Sequence, residues 1–169
     1  MDWSTMLDAR IVVFGCGNTL FGDDGLAPRT VQRLAEEAGN TPAFAHVAFI
    51  DAGTAVRSLL TDMALFQCTP DQVILVDIVQ EEGREPGSIC IVPLEKIAVP
   101  DIPPTPGRGG LHHAPTWGLL HALCRNGAKV TAITVQAANI PVFMSDVLSP
   151  EAEAAMPALA DAICACCTA

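Results

Sequence analysis

The sequence predicts an α/β protein: a three-layer α/β/α sandwich on a twisted, mostly parallel sheet of about five strands. Three observations predict it. Short apolar runs alternate along the chain with segments of helical period. One run, Val73 to Val79 (VILVDIV), is β-branched and almost continuously apolar, as a strand buried on both faces must be. Half of the 169 residues are hydrophobic and only 17% are charged, so the chain can bury a sizeable core. Residues 1–169 read as a single domain, without repeats or a long low-complexity linker.

The elements follow in order. Ile11 to Phe14 is the first buried strand and runs straight into Gly15-Cys16-Gly17-Asn18. Ala27, Val31, Leu34, Ala35 and Ala38 recur at spacings of three and four, marking an amphipathic helix that Gly39-Asn40 stops. Phe44 to Ile50 reads as the second strand and Ala55 to Leu65 as a short helix. After the Val73–Val79 strand, Gly83 to Gly87 is a turn and Ser88 to Val92 a further strand. Pro93 to Gly110 is rich in proline and glycine, which predicts a long irregular connection. Pro115 to Cys124 resumes a helical pattern, and Lys129 to Gln136 is another strand. Ser149 is an N-cap with Pro150 at the first helical position; Met156, Leu159, Ala160, Ile163 and Cys167 give the last helix its core face.

Composition excludes several functions. The net charge of −10 opposes nucleic-acid binding, which neutralises phosphates with Lys and Arg, and it disfavours anionic membranes. No apolar run reaches the ~18 residues of a bilayer span. The start, Met1-Asp2-Trp3-Ser4, lacks the pattern of a signal peptide, so a cytoplasmic location is expected. Seven cysteines, an odd number, fit reduced thiols better than a disulfide framework. Cys16, Cys68, Cys90 and Cys124 lie in or beside apolar segments and read as small hydrophobes. Cys164, Cys166 and Cys167 cluster without a second cluster at zinc-ligand spacing, which favours helix packing.

Candidate chemistry gathers where strands end, the edge at which open α/β folds bind ligands. Asp23 and Asp24 follow the first strand, Asp51-Ala52-Gly53-Thr54 follow the second, and Asp77 lies near the end of the third. Gly15 and Gly17 suggest a dinucleotide fingerprint, but its third glycine would fall at Leu20, and no Gly-Lys-Ser/Thr phosphate loop is present. Of Asp23 and Asp24, one can cap the helix beginning near Gly25 while the other points into a crevice. Asp77 interrupts a buried apolar strand, and a buried carboxylate needs a partner, a proton or a metal. His112 and His113 stand just before the helix at Pro115, either as ordinary helix-start histidines or as an imidazole ligand suited to zinc or nickel. His46 and His121 have no comparable setting and read as structural. Two carboxylates and one imidazole leave coordination positions open, as catalytic or substrate-reading metal sites do.

Taken in order, GCGNTLFGDDG (Gly15–Gly25), DAGT (Asp51–Thr54), VILVDIV with EPGSI (Val73–Val79, Glu85–Ile89), LHHAPTWGLLHAL (Leu111–Leu123) and ITVQAANI (Ile133–Ile140) resemble the hydrogenase maturation endopeptidase family. That resemblance implies a cytoplasmic endopeptidase. It would remove a C-terminal extension from the nickel-loaded large-subunit precursor of a [NiFe] hydrogenase. Carried over residue by residue, Asp24, Asp77 and His112 are the metal-contacting and catalytic residues, with His113 the competing histidine. The nickel would arrive in the precursor, another divalent metal standing in for it in vitro. Asp51, Gly53, Thr54 and His113 would contact the substrate, beside the Pro93–Gly110 loop. The cation would polarise the scissile carbonyl, or one carboxylate would act as general base. Asp24 replaces a glutamate seen in some members, Ala27 a glycine, and Ala137 a proline, which points to a branch resembling the maturation proteins of F420-reducing hydrogenases. The protein is expected to be a monomer that meets its substrate transiently. A nickel-dependent chaperone that binds the same precursor without cutting it is the alternative, and a metallohydrolase acting on another amide is a third reading.

Overall fold

The computed structural model describes residues 6, 8–39, 41–66, 68, 70–94 and 114–168, with only the backbone at 114–117. Five strands form one sheet in the order β2-β1-β3-β5-β4. The first strand, β1 (Ile11–Cys16), lies between parallel neighbours β2 (Val47–Gly53) and β3 (Gln72–Val79) and is buried along its whole length because helices cover both faces of the sheet. On the far side β5 (Lys129–Gln136) runs parallel to β3, and β4 (Ile89–Pro93) closes that edge antiparallel to β5. The sheet is therefore mostly parallel, as the sequence predicts.

Alternation along each strand divides the core into two layers. On one face Val12, Phe14, Ala48, Ile50, Val73, Leu75 and Val130 pack with Leu59, Leu60 and Met63 of α2 (Val56–Leu65) and Leu120 and Leu123 of α3 (Ala114–Arg125). On the other, Val13, Ile74, Val76, Ile133 and Val135 meet Leu26, Val31 and Leu34 of α1 (Leu26–Ala38) and Leu159, Ile163 and Cys167 of α4 (Pro150–Thr168). At about 25 cal/mol per Å² of apolar surface, both layers are needed to offset the chain entropy of folding. Ser149 caps α4 as its sequence predicts, its Oγ accepting the Ala152 N–H at 3.1 Å. Cys167 is buried in the α1–α4 layer and Cys164 and Cys166 pack against it, which is the helix-packing reading of that cluster. No helix among the described residues is long and apolar enough to cross a membrane.

The second strand departs from the sequence reading. Pro42–Phe44 is a turn of 3-10 helix, and the strand begins at Val47 and runs on to Gly53. Pro42 fixes its own φ at the first position of that turn. The Phe44 ring folds back edge-on to Phe49, with centroids 5.7 Å apart, so it covers the strand instead of extending it. Asp51 and Gly53 consequently lie within β2, not in a loop after it.

Because the chain leaves β1 toward β2 on one side and then crosses to β3 on the other, the fold switches direction between β1 and β3. The crevice above that switch point is where such sheets bind ligands.

Candidate active site at the carboxyl edge of the sheet

The site is assembled on the last residues of β1. Gly15 stands opposite Asp51 on one side and Val76 on the other, and Cys16 pairs with Gly53 across a local irregularity. The backbone then turns at Gly17, with φ at 130°. A Cβ there would lie 2.0 Å from the Asp24 carbonyl oxygen, so only glycine lets the two segments touch. Asn18 N–H donates to Asp24 Oδ2 at 2.8 Å. The Asp24 carboxylate is thus held against the turn that ends β1.

Asp23 and Asp24 have separate jobs. Neither caps the helical turn they occupy: the N-cap positions of Gly22–Gly25 and of α1 carry no side-chain cap bond. Asp23 instead points away and is buried, 1% exposed. Its carboxylate accepts hydrogen bonds from Ala138 N (2.9 Å), Asn139 N (2.8 Å), Ser149 N (2.7 Å) and Ser149 Oγ (2.9 Å). The expected cap at Gly25 is therefore corrected: Asp23 fixes the entrance to α4, more than a hundred residues along the chain. Charge-assisted bonds of this kind are roughly twice as strong as neutral ones.

Asp77 is likewise 1% exposed. It shares strand parity with Val73 and Leu75 and so belongs to the α2–α3 face, where its Oδ1 accepts the Ile78 N–H at 2.8 Å. Cys16 lies on the same face of the adjacent strand, one step beyond the Gly15–Val76 pair. Burial pushes the Cys16 thiol well above its ordinary range, and the carboxylates of Asp77, Asp24 and Asp51, in that order, push it the same way. One buried thiol thus feels three of the four acids that the sequence singles out. Among the described residues, however, no group of three or more histidine, cysteine, aspartate or glutamate side chains is placed to hold a metal ion.

Asp51 faces the other layer. Its Oδ2 accepts from Gln32 Nε2 of α1 at 2.6 Å and its Oδ1 from the Gly53 N–H at 2.9 Å. Asp51, Gly53 and Thr54 line a crevice of about 220 Å³ with Gly17, Asn18 and Thr19. The substrate-contact candidates of β2 therefore share one hollow with the residues that hold Asp24. A larger hollow, about 490 Å³, opens beside Phe44, Val47 and Phe49 at the opposite end of β2 and contains none of the candidate residues.

His112 and His113 lie outside the described residues, as does the Pro93–Gly110 loop apart from Pro93 and Leu94. α3 packs on the face to which Asp77 belongs and returns through Gly127 to the start of β5. Its first turn, at Ala114, is thereby aimed toward the carboxyl edge of the sheet, about 18 Å from its last. His121, further along the same helix, has an Nε2 that is buried without a hydrogen bond among the described residues, and His46 is exposed at the opposite edge.

Sequence reasoning missed Gln32 and the part played by Cys16. A glutamine on a helix surface gives no signal of the acid it meets in space. Cys16 reads as a small hydrophobe and is indeed buried; its neighbours appear only once β1 and β3 are paired.

Comparison with known proteins bears on the family and the fold. The family model described as hydrogenase maturation protease matches residues 28–166. The coenzyme F420 hydrogenase subunit delta of Methanothermobacter thermautotrophicus is 32% identical over 128 residues, covering 76% of this chain and 73% of that protein. The hydrogenase 2 maturation protease of Escherichia coli is 33% identical over 88 residues, covering 52% of this chain and 49% of its own length. Among solved structures, the [NiFe] hydrogenase maturation protease HycI from Thermococcus kodakarensis superposes with a TM-score of 0.68 at 26% identity, over 95% of this chain and 94% of that one.

Proposed function

This chain belongs to the hydrogenase maturation protease family, and we propose that it is an endopeptidase that removes a C-terminal extension from the nickel-loaded large-subunit precursor of a [NiFe] hydrogenase. The observation that supports the reading is that Asp24, in the turn after β1, and Asp77, on β3, both lie close enough to Cys16 to act on its thiol, at the switch point of the sheet. His112 completes the set that meets the nickel of the precursor, and the crevice of Asp51, Gly53 and Thr54 receives the polypeptide beside it. Nickel is then part of the substrate, and its presence between the carboxylates licenses the cut.

The residues have distinct tasks. Asp24, fixed by the Asn18 N–H, and Asp77, fixed by the Ile78 N–H, supply negative charge that orients the cation. A bound divalent ion polarises a neighbouring carbonyl and lowers the pKa of water. Orientation of the scissile bond within the crevice converts attack into an intramolecular-like step, an effect worth about 7–11 kcal/mol in favourable cases. The resemblance to an F420 hydrogenase subunit delta supports a precursor from that type of hydrogenase.

Site variants test the assignment. Asp24→Asn, Asp77→Asn and His112→Ala should each abolish shortening of the nickel-loaded precursor, read by intact mass, while thermal stability stays near that of the parent protein. Full processing by Asp77→Asn would remove it from the site; a collapse in its stability would make it a structural acid.

A further inference from the structure

Val142, Phe143 and Met144 are consecutive, large, apolar and exposed, Val142 by 88% and Phe143 by 85%. Val147 and Leu20 are exposed as well. Runs of three exposed apolar residues are uncommon on soluble proteins unless they meet a partner. The segment has no helix or strand of its own, yet it is tied down. Ser145 N donates to the Leu20 carbonyl at 2.8 Å and Gly22 N to the Ser145 carbonyl at 2.6 Å. Pro141 packs so closely on Gly22 that a Cβ there would meet its Cδ at 2.7 Å. Asp23 clamps Ala138, Asn139 and Ser149 from the same short stretch that carries Asp24. The apolar strip and the Asp24 carboxylate are therefore mounted on one hydrogen-bonded unit.

We infer that this strip, Leu20 with Val142–Met144 and Val147, is a docking surface for an apolar recess on the folded body of the precursor, and that it sets the position of that body over Asp24. The inference rests on the proposed function. Continuity with the site supplies the occupant: a body that presents nickel to Asp24 must cover residues bonded to the Asp24 loop. Shape selects the body over the extension. Side chains that protrude almost fully fit a concavity on the partner, whereas an extended tail needs a groove on this side. Apolar contact also suits a chain with a net charge of −10, since it does not depend on a basic partner.

The test compares the parent protein with Phe143→Ser and with the triple change Val142→Ser, Phe143→Ser, Met144→Ser. Exposed positions of this kind leave folding intact, which a thermal melt verifies. Binding of fluorescently labelled nickel-loaded precursor, and of the same precursor truncated at the cleavage point, is titrated alongside cleavage kinetics. A central aromatic anchor is worth about thirtyfold in affinity. The triple variant should therefore bind both forms about thirtyfold or more weakly and raise KM accordingly, with kcat retained. Unchanged affinity overturns the inference, as does a loss confined to the form that bears the extension. Strip-dependent binding without cleavage by any protein would support the docking surface and refute the protease reading; no binding by the parent protein would refute the docking surface.

Discussion

Two adjacent aspartates should fail in opposite ways when replaced. Asp23→Ala removes the acceptor of four hydrogen bonds, three of them from backbone N–H groups of Ala138, Asn139 and Ser149. Each buried donor left without a partner costs about 1–3 kcal/mol, and the Ser149 hydroxyl can rotate away. Allowing for water entering a loosened loop, the expected loss is about 3–5 kcal/mol, a large part of the 5–15 kcal/mol that typically separates folded from unfolded chains. For a chain of this length that corresponds to a fall in Tm of about 10 °C. Asp24→Asn keeps an oxygen to accept the Asn18 N–H, so its stability loss should stay under about 1 kcal/mol while precursor processing disappears. Urea unfolding followed by circular dichroism, paired with the precursor mass assay, reads both effects. An Asp23→Ala protein within about 1 kcal/mol of the parent would refute the clamp. An Asp24→Asn protein destabilised as much as Asp23→Ala would refute the division of labour.

Gly17→Ala forces a Cβ to within 2.0 Å of the Asp24 carbonyl at a φ of 130°, so either the loop shifts or the fold suffers. It should lower Tm and processing together; retention of both would contradict the close approach. Stability should decline as pH rises past about 9. Burial raises Cys16 and pushes Cys167 up to about 12, so the unfolded chain loses these protons first and gains from alkaline pH. Their contribution is full below the ordinary value and lost on the way to the raised one. Melts between pH 7 and 11 should fall less steeply in Cys167→Ala, and identical slopes would rule the effect out. Arg84 donates to the Thr134 carbonyl and Oγ1 and to the Ser88 carbonyl, which pins β4 to β5. Arg84→Ala should cost about 1–3 kcal/mol in urea unfolding.

The parts of the fold that were legible are those specified locally. VILVDIV reads as a strand because a strand covered on both faces is apolar almost throughout instead of alternating, and Ser149-Pro150 reads as a helix start because the cap lies within three residues of the N–H it satisfies. β2 was displaced by several residues because Phe44 looks like strand material, and only the fold shows it lying back on Phe49. At the site, the position of each acid at a strand end was legible, and so was the need of Asp77 for company. The choice between Asp23 and Asp24 was not. It depends on donors from residues 138, 139 and 149, and no short window of sequence contains both ends of those bonds. The two hydrophobic layers followed from periodicity, whereas the apolar strip at Val142–Met144 stands out only when its exposure is known.

The central claim is that carboxylates at the switch point read a nickel ion carried by the substrate before the chain cuts. Its most direct test incubates the protein with nickel-loaded large-subunit precursor and with the same precursor free of nickel, and follows intact mass. The account predicts release of a C-terminal fragment from the loaded form alone. Equal shortening of both forms, or of neither while both bind, would contradict it.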